Sequence, residues 1–216
     1  MIARIMIVDD DPLVRSGLRL LLGGDPGLEI VADAANGQEA LDNHGQAPVD
    51  LVLMDLRMPV LDGIAATGRF KSLDNPPAVI VLTTFDADDF VVRALAMGAD
   101  GFLLKDTPPD EIVAAIHNVL AGRPALSPSV TAALIKQVVD GGGARSATAA
   151  SRIATLTARE KDVALELARG ATNAEIAERL YMSLATVKAH ISHIFTKLDA
   201  SNRVQVAILM HDAGEV

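Results

Sequence analysis

The first 120 residues alternate short apolar runs with segments of helical periodicity, and this alternation limits the possible folds most. The predicted strands are 3–8, 28–32, 50–54, 78–82 and 101–104; the predicted helices begin near residue 12 and cover 37–44, 62–72, 87–97 and 109–121. Short apolar strands separated by helices predict a parallel sheet. Five such units in about 120 residues predict a flavodoxin-like α/β domain with a doubly wound, five-stranded parallel sheet.

Polar residues follow four of these strands at their carboxyl ends. They are Asp9 and Asp10, Asp55, Thr83, and Lys105. In a doubly wound sheet these ends share one edge, and ligands bind there at the switch point between the first and third strands. Clustered carboxylates repel one another unless a cation lies among them, and an all-oxygen site suits Mg²⁺. A carboxylate there could accept a phosphoryl group as an acyl phosphate, with the lysine offsetting its charge.

Charge is divided unevenly along the chain. The formal net charge of −9, taken whole, argues against nucleic acid as a partner. Residues 1–122 carry 8 Lys and Arg against 19 Asp and Glu, however, whereas residues 123–216 carry 11 against 9. This asymmetry predicts two domains with different partners.

The boundary between the halves has a composition of its own. Residues 141–151 are small and lack apolar periodicity, which predicts a flexible linker. Ser127 and Pro128 open a predicted helix near 127–139. We therefore expect a first domain at 1–122, a linker region at 123–152 and a second domain at 153–216.

The last 60 residues predict a small all-α helix–turn–helix domain. Capping boxes begin at Thr157 and Thr172, Ser183 and Ser201 are further predicted caps, and four short helices follow these positions. The helix at 184–198 contains lysine and histidine but no acid. Its exposed side suits a major groove, because lysine reaches guanine acceptors, alanine the thymine methyl group, and serine or threonine either bases or phosphate. The residues on that side are Thr186, Lys188, Ala189 and Ser192. From the helix alone, a solvated basic face remains an alternative.

The motifs of the first half resemble the receiver domain of two-component response regulators. They are Asp9-Asp10, Met54-Asp55-Leu56-Arg57-Met58-Pro59 with Asp62-Gly63, Leu82-Thr83-Thr84, and Gly101-Phe102-Leu103-Leu104-Lys105. The resemblance implies that Asp55 accepts phosphate from a sensor histidine kinase. It implies that Mg²⁺ is bound by Asp10, Asp55 and the Arg57 carbonyl, with Asp9 acting through water. Thr83 and Lys105 would contact the phosphoryl group, and Phe102 matches the aromatic that moves inward on activation. Asp11 departs from the histidine often found there and adds an acid near the metal.

The last 60 residues resemble the LuxR-type helix–turn–helix of NarL/FixJ-type regulators. The resemblance is carried by Leu156-Thr157-Ala158-Arg159-Glu160, Gly170-Ala171-Thr172-Asn173-Ala174-Glu175-Ile176-Ala177, Thr186-Val187-Lys188-Ala189-His190 and Lys197-Leu198. It implies dimeric DNA binding, with a recognition helix at 184–197 and a dimer contact near 202–212. Lys188, Ala189 and Ser192 match base-reading positions, and Lys197 and Arg203 would contact phosphates.

Together these features predict a phosphorylation-switched transcription factor rather than an enzyme, apart from phosphorylation and dephosphorylation of its own Asp55. The expected partners are a sensor histidine kinase, double-stranded DNA, a second copy of the chain and RNA polymerase. No apolar run approaches the roughly 18 to 20 residues that span a bilayer, so we expect a cytoplasmic protein without membrane contact. Two alternatives stay open: an Mg²⁺-dependent aspartyl-phosphate hydrolase, although Arg57 replaces its usual second acid, and a phosphorelay or scaffold protein without DNA binding.

Overall fold

The chain forms two compact units in this computed structural model. The structure describes residues 2–84, 94–127, 131 and 145–216, with only the backbone described for 145–147. One unit spans Met1–Leu120 and Ala125–Val130, and the other spans Ala121–Pro124 and Thr131–Val216. The acidic and basic halves of the sequence therefore correspond closely to two structural units.

The first unit is a parallel α/β sheet with helices on both faces. Its strands are β1 (Ala3–Val8), β2 (Leu28–Ala34), β3 (Leu51–Met54), β4 (Ala78–Thr83), β5 (Gly101–Leu104) and β6 (Ala125–Leu126). The helices named here are α1 (Pro12–Leu22), α2 (Gly37–Gln46), α3 (Gly63–Lys71) and α4 (Pro109–Leu120). The strand order is β2-β1-β3-β4-β5-β6, with every pairing parallel. The flavodoxin-like prediction is confirmed.

The central strands are apolar on both sides, because each side is covered by helices. Ile5 belongs to a core cluster that includes residues of α1 and α4, whereas its neighbour Met6 belongs to a cluster that includes residues of α2 and α3. Successive residues of a strand point to opposite faces, so a strand covered twice reads as an uninterrupted apolar run. This is why the predicted bounds of the strands agree with the structure to within two residues.

Two parts of the first unit differ from the prediction or lie beyond it. The sheet has a sixth strand, β6, whose two residues pair with Gly101 and Phe102; a two-residue strand is too short to show a pattern. Most of the predicted helix at 87–97 and most of that near 127–139 fall outside the described residues.

The described residues of the second unit include a bundle of five helices. They are α5 (Arg145–Ile153), α6 (Ala158–Ala168), α7 (Asn173–Arg179), α8 (Leu184–Leu198) and α9 (Arg203–Asp212). Its core is a single apolar cluster that includes Val163, Ile176, Val187, Ile194 and Val206. Both predicted capping boxes are present, from Thr157 to Glu160 and from Thr172 to Glu175.

The N-terminal part of this unit corrects two predictions. Residues 145–151, assigned to a flexible linker, belong to α5. Ala149 and Ile153 are buried, and their spacing of four residues is the helical signal that the small side chains around them obscure. The last helix is capped by Asn202 rather than Ser201, since the Asn202 side chain accepts a hydrogen bond from the Gln205 amide at 2.9 Å. No helix in the described part of the chain is long and apolar enough to cross a membrane.

Candidate functional site

Three carboxylates meet at the carboxyl edge of the sheet, as predicted. Asp9, Asp10 and Asp55 each offer an oxygen, and these oxygens lie within 4.8 Å of one another. The Asp55 amide donates a hydrogen bond of 2.8 Å to the carbonyl of Val8, which fixes the end of β3 against the end of β1. Asp9 and Asp55 are only 2% and 6% exposed, whereas Asp10 is open to solvent.

Lys105 lies against this carboxylate cluster. Its Nζ is 2.6 Å from an oxygen of Asp9 and 3.4 Å from an oxygen of Asp55. The Lys105 amide donates to the carbonyl of Thr83 at 2.8 Å, so the ends of β4 and β5 lie side by side. Thr83 is buried. The four charged residues predicted at this edge of the sheet therefore lie close together, and the main chain of Thr83 lies beside Lys105.

The electrostatics of the cluster favour a bound cation. Burial raises the pKa of Asp55; the nearby Lys105 charge opposes that rise and the Asp9 charge adds to it. Burial acts to lower the pKa of Lys105, but its hydrogen bond to Asp9 and the charge of Asp55 outweigh burial and raise it. One lysine thus faces three clustered acids. An oxygen-only donor set of this kind fits Mg²⁺, whose ligands are carboxylates, carbonyls and water.

The loop after Asp55 needs a glycine at its end. A Cβ on Gly63 would lie 1.9 Å from the Asp55 carbonyl oxygen, well inside van der Waals contact. The Asp62 side chain caps α3 by accepting from the Ala65 amide at 2.8 Å. Arg57, whose carbonyl is a predicted metal ligand, is an exposed residue of this loop. The sequence Asp62-Gly63 thus has a structural reason: Asp62 caps α3, and Gly63 lets α3 approach the main chain of Asp55.

Arg15 is a residue of the site that the sequence reasoning missed. Its Nη1 donates to the Asp9 carbonyl at 2.6 Å, and its Nε is 3.3 Å from an Asp33 carboxylate oxygen. Arg15 therefore connects α1, β2 and the turn that presents the acids. Nothing in the local sequence signals this contact, because it depends on β2 lying next to β1 in the sheet.

Two other residues near the edge have different surroundings. Asp11, which the sequence placed near the metal as an extra acid, is not one of the clustered carboxylates; its side chain caps α1 by accepting from the Leu13 amide at 2.8 Å. Phe102, the predicted switch aromatic, is fully buried in β5.

The exposed side of α8 forms the candidate nucleic-acid interface. Thr186, Lys188, Ala189 and Ser192 are all exposed. Val187, Ile194 and Leu198 are buried on the opposite side. The Ser183 side chain accepts from the Thr186 amide at 3.1 Å and so begins the helix. The four predicted contact residues therefore share one accessible surface.

Two residues that are predicted to contact phosphates also bind groups within the unit. Lys197 Nζ lies 2.6 Å from Glu160, and this hydrogen bond, with those from Thr157, lowers the pKa of Glu160 to about 2. Arg203 is only 8% exposed and donates to the Ala171 carbonyl at 2.8 Å. Both cations therefore have a structural role, because Lys197, an exposed residue of α8, joins α8 to α6, and Arg203 joins α9 to the loop before α7.

The two histidines of α8 differ in their exposure. His190 is half-buried, and its Nδ1 has no hydrogen-bond partner among the described residues. His193 is exposed. In the described part of the chain, the only group of three potential ligands is that of Asp9, Asp10 and Asp55.

Both units match known protein families. Residues 5–117 match the response regulator receiver domain, and residues 154–210 match the bacterial regulatory proteins of the luxR family. The chain is 40% identical over 208 residues to the transcriptional regulatory protein LnrK of Bacillus subtilis, covering 95% of this chain and 94% of LnrK. It is 32% identical over 209 residues to the nitrate/nitrite response regulator protein NarL of Escherichia coli, covering 97% and 95%. The crystal structure of response regulator ChrA, from a heme-sensing two-component system, is similar at a TM-score of 0.54 and 33% identity, covering 100% of this chain and 99% of ChrA.

Proposed function

The chain belongs to the two-component response regulators that join a receiver domain to a LuxR-type DNA-binding domain, and we propose that phosphorylation of Asp55 controls its binding to DNA. Membership of this family favours a DNA-binding transcription regulator over the hydrolase and the scaffold protein considered as alternatives. The observation that supports Asp55 most directly is its position, buried at the carboxyl edge of β3 with Lys105, Asp9 and Asp10 around it.

The proposed phosphoryl transfer uses the carboxylate of Asp55 as nucleophile. An Asp55 oxygen attacks the phosphorus of a phosphohistidine on the sensor kinase; the new P–O bond forms as the P–N bond breaks, and the leaving imidazole takes up a proton. Asp9, Asp10, Asp55 and the Arg57 carbonyl would hold Mg²⁺, which supplies positive charge to the phosphoryl oxygens. Lys105 supplies a second positive charge from the β5 side.

The proposed switch begins with the contacts of Lys105. A phosphoryl group on Asp55 competes with Asp9 for the ammonium group, and the Thr83 hydroxyl can donate to a phosphoryl oxygen. These changes favour one of two packings around β4, β5 and Phe102. Moving such an equilibrium from 1:99 to 99:1 takes about 5.5 kcal/mol of differential stabilisation.

The proposed DNA contact uses the exposed side of α8 in the major groove. In this proposal Lys188, Ala189 and Ser192 read bases; all three are exposed, and Thr186 lies at the start of the same side. Two copies bound to adjacent half-sites combine two weak contacts through effective concentration. The half-exposed Ile208 and Leu209 of α9 are candidates for the contact between copies, and recruitment of RNA polymerase follows on the promoter. DNA as the ligand favours a cytoplasmic site of action.

A labelling experiment tests the phosphoacceptor. The full chain with Mg²⁺ and a radiolabelled small phosphodonor should incorporate phosphate, and Asp55→Asn should abolish this. Asp11→Asn is the matched control, since it also removes one acid beside the site while asparagine still caps α1. Undiminished labelling of Asp55→Asn would refute the assignment, as would an equal loss in the control.

A further inference from the structure

Tyr181 occupies an unusual position in the turn between α7 and α8. Its backbone has a φ of 54°, in the left-handed region, and its side chain is 96% exposed. The turn requires this conformation, because the Met182 amide reaches back to the Ala177 carbonyl at 2.8 Å to close the end of α7. Glycine is the usual residue at such a position, since it has no Cβ to clash.

Three other helices of the same unit end at less costly left-handed residues. Gly170 and Gly214 have φ of 83° and 73° after α6 and α9. Asp199 has a φ of 51° after α8, and short polar side chains tolerate this region. Tyr181 belongs to neither class, and its exposed ring gains no packing that would offset the strain. Strained residues without structural compensation are typical of binding surfaces.

The turn also adjoins the surface already assigned to DNA. Ser183 caps α8 two residues after Tyr181, and Leu184 in its first turn is 51% exposed. In helix–turn–helix proteins the N-terminal residues of the second helix meet base edges while the first helix crosses the sugar–phosphate backbone. The turn that joins these two helices therefore lies over the edge of the groove.

We propose that the phenol hydroxyl of Tyr181 donates a hydrogen bond to a DNA phosphate at the edge of the major groove. Tyrosine is among the side chains that bind phosphate oxygens, and such contacts fix the position of the protein without reading sequence. With Lys197 and Arg203 engaged by Glu160 and Ala171, an exposed neutral donor beside the start of α8 supplies an anchor for the recognition helix. This inference rests on the proposed orientation of α8 in the groove.

The test compares the Kd of the full chain, with phosphodonor and Mg²⁺ present, for a DNA fragment obtained by selection and for a scrambled fragment. We expect Tyr181→Phe to weaken binding to both fragments by about tenfold, the usual effect of one hydrogen bond to a charged group. The slope of log K against log salt should stay unchanged, since no cation is removed.

A second variant separates binding from folding. Tyr181→Gly should weaken DNA binding at least as much as Tyr181→Phe while its Tm equals or exceeds that of the parent chain, because glycine adopts this backbone conformation without strain. Asp199→Gly is the matched control: it relieves the same strain at the opposite end of α8, and its affinity should not fall below that of the parent.

The outcomes distinguish this inference from the proposed function. If Tyr181→Phe binds both fragments like the parent while Lys188→Ala weakens binding to the selected one, the phosphate contact is refuted and the recognition helix stands. If neither substitution changes Kd, the orientation of α8 itself is wrong. A loss of transcription at unchanged Kd would assign Tyr181 to a protein partner and would also overturn the proposal.

Discussion

Asp9, Asp10, Asp55 and Lys105 show how far single residues can be predicted from sequence. Each lies within two residues of the end of a strand, and a parallel sheet brings the carboxyl ends of its strands to one edge, so their meeting follows from the strand pattern alone. The contacts of Arg15, Lys197 and Arg203 do not follow from it. Their partners Asp9, Glu160 and Ala171 lie elsewhere in the chain, and only the packing of the folded units determines which group each cation meets.

We expect Arg15 to influence Mg²⁺ binding without being a ligand of the metal. Its hydrogen bond to the Asp9 carbonyl holds the turn that presents Asp9 and Asp10, and residues that hold ligands in place commonly change metal affinity by about tenfold. We expect Arg15→Ala to weaken Mg²⁺ binding by about that factor, measured by calorimetric titration of the full chain.

Arg19→Ala provides the matched control for Arg15. Arg19 also pairs with Asp33, at 2.5 Å, but its other hydrogen bond goes to Ile30 rather than to Asp9. Its removal should leave Mg²⁺ affinity unchanged. Equal Mg²⁺ affinities of Arg15→Ala and the parent chain would show that the turn holds its shape without the arginine.

Elements with a strong local pattern were predictable, and elements with a weak one were not. The central strands are continuous apolar runs, and α6 and α7 begin with capping boxes that are legible in the sequence. β6 is two residues long and exists only because β5 offers a free edge. α5 consists largely of small residues, and its formation depends on burying Ala149 and Ile153 in the second unit.

The loop between β3 and α3 should tolerate no side chain at its end. Gly63→Ala places a Cβ against the Asp55 carbonyl and should lower the free energy of unfolding of the first unit by about 3 kcal/mol, measured by urea denaturation. Gly17→Ala is the control, because Gly17 is an exposed residue of α1 with no atom near its added Cβ. That change should stabilise the unit by about 0.5–1 kcal/mol. A mild effect of Gly63→Ala would mean that α3 shifts freely relative to Asp55.

The ion pair between α6 and α8 should make the second unit sensitive to acid. The pKa of Glu160 is lowered from 4.5 to about 2, so its stabilisation is present above pH 4.5 and is lost as pH falls toward 2. Glu160→Gln should therefore destabilise the unit by about 2 kcal/mol at neutral pH, and the difference from the parent should shrink below pH 4.5. Hydrogen exchange of the amides of α6 and α8 measures this.

Glu175→Gln is the control for Glu160→Gln. Glu175 forms the same capping box at α7, but its hydrogen bonds go to Thr172 and none to a lysine. Its substitution should have a smaller effect. Equal effects of the two substitutions would assign the stabilisation to the caps rather than to Lys197.

At the scale of the whole molecule, the net charge of −9 is a sum over two units with different roles. The acidic residues concentrate in the receiver, where three of them form the carboxylate cluster that we propose binds Mg²⁺ and accepts phosphate. The other unit contains slightly more basic than acidic residues, and the exposed side of α8 carries Lys188 and no acid. The division into two units is evident from charge and composition, whereas the extent of the second unit, which includes α5, required the structure.

The central claim is that phosphate on Asp55 controls DNA binding, and one comparison tests it most directly. DNA sequences bound by the full chain are selected with a small phosphodonor and Mg²⁺, and the Kd for the selected DNA is then measured with and without phosphodonor for the parent, Asp55→Asn and Asp11→Asn. We predict that phosphodonor tightens binding by the parent and by Asp11→Asn but leaves Asp55→Asn unchanged. Phosphodonor-dependent tightening that persists in full in Asp55→Asn would contradict the claim.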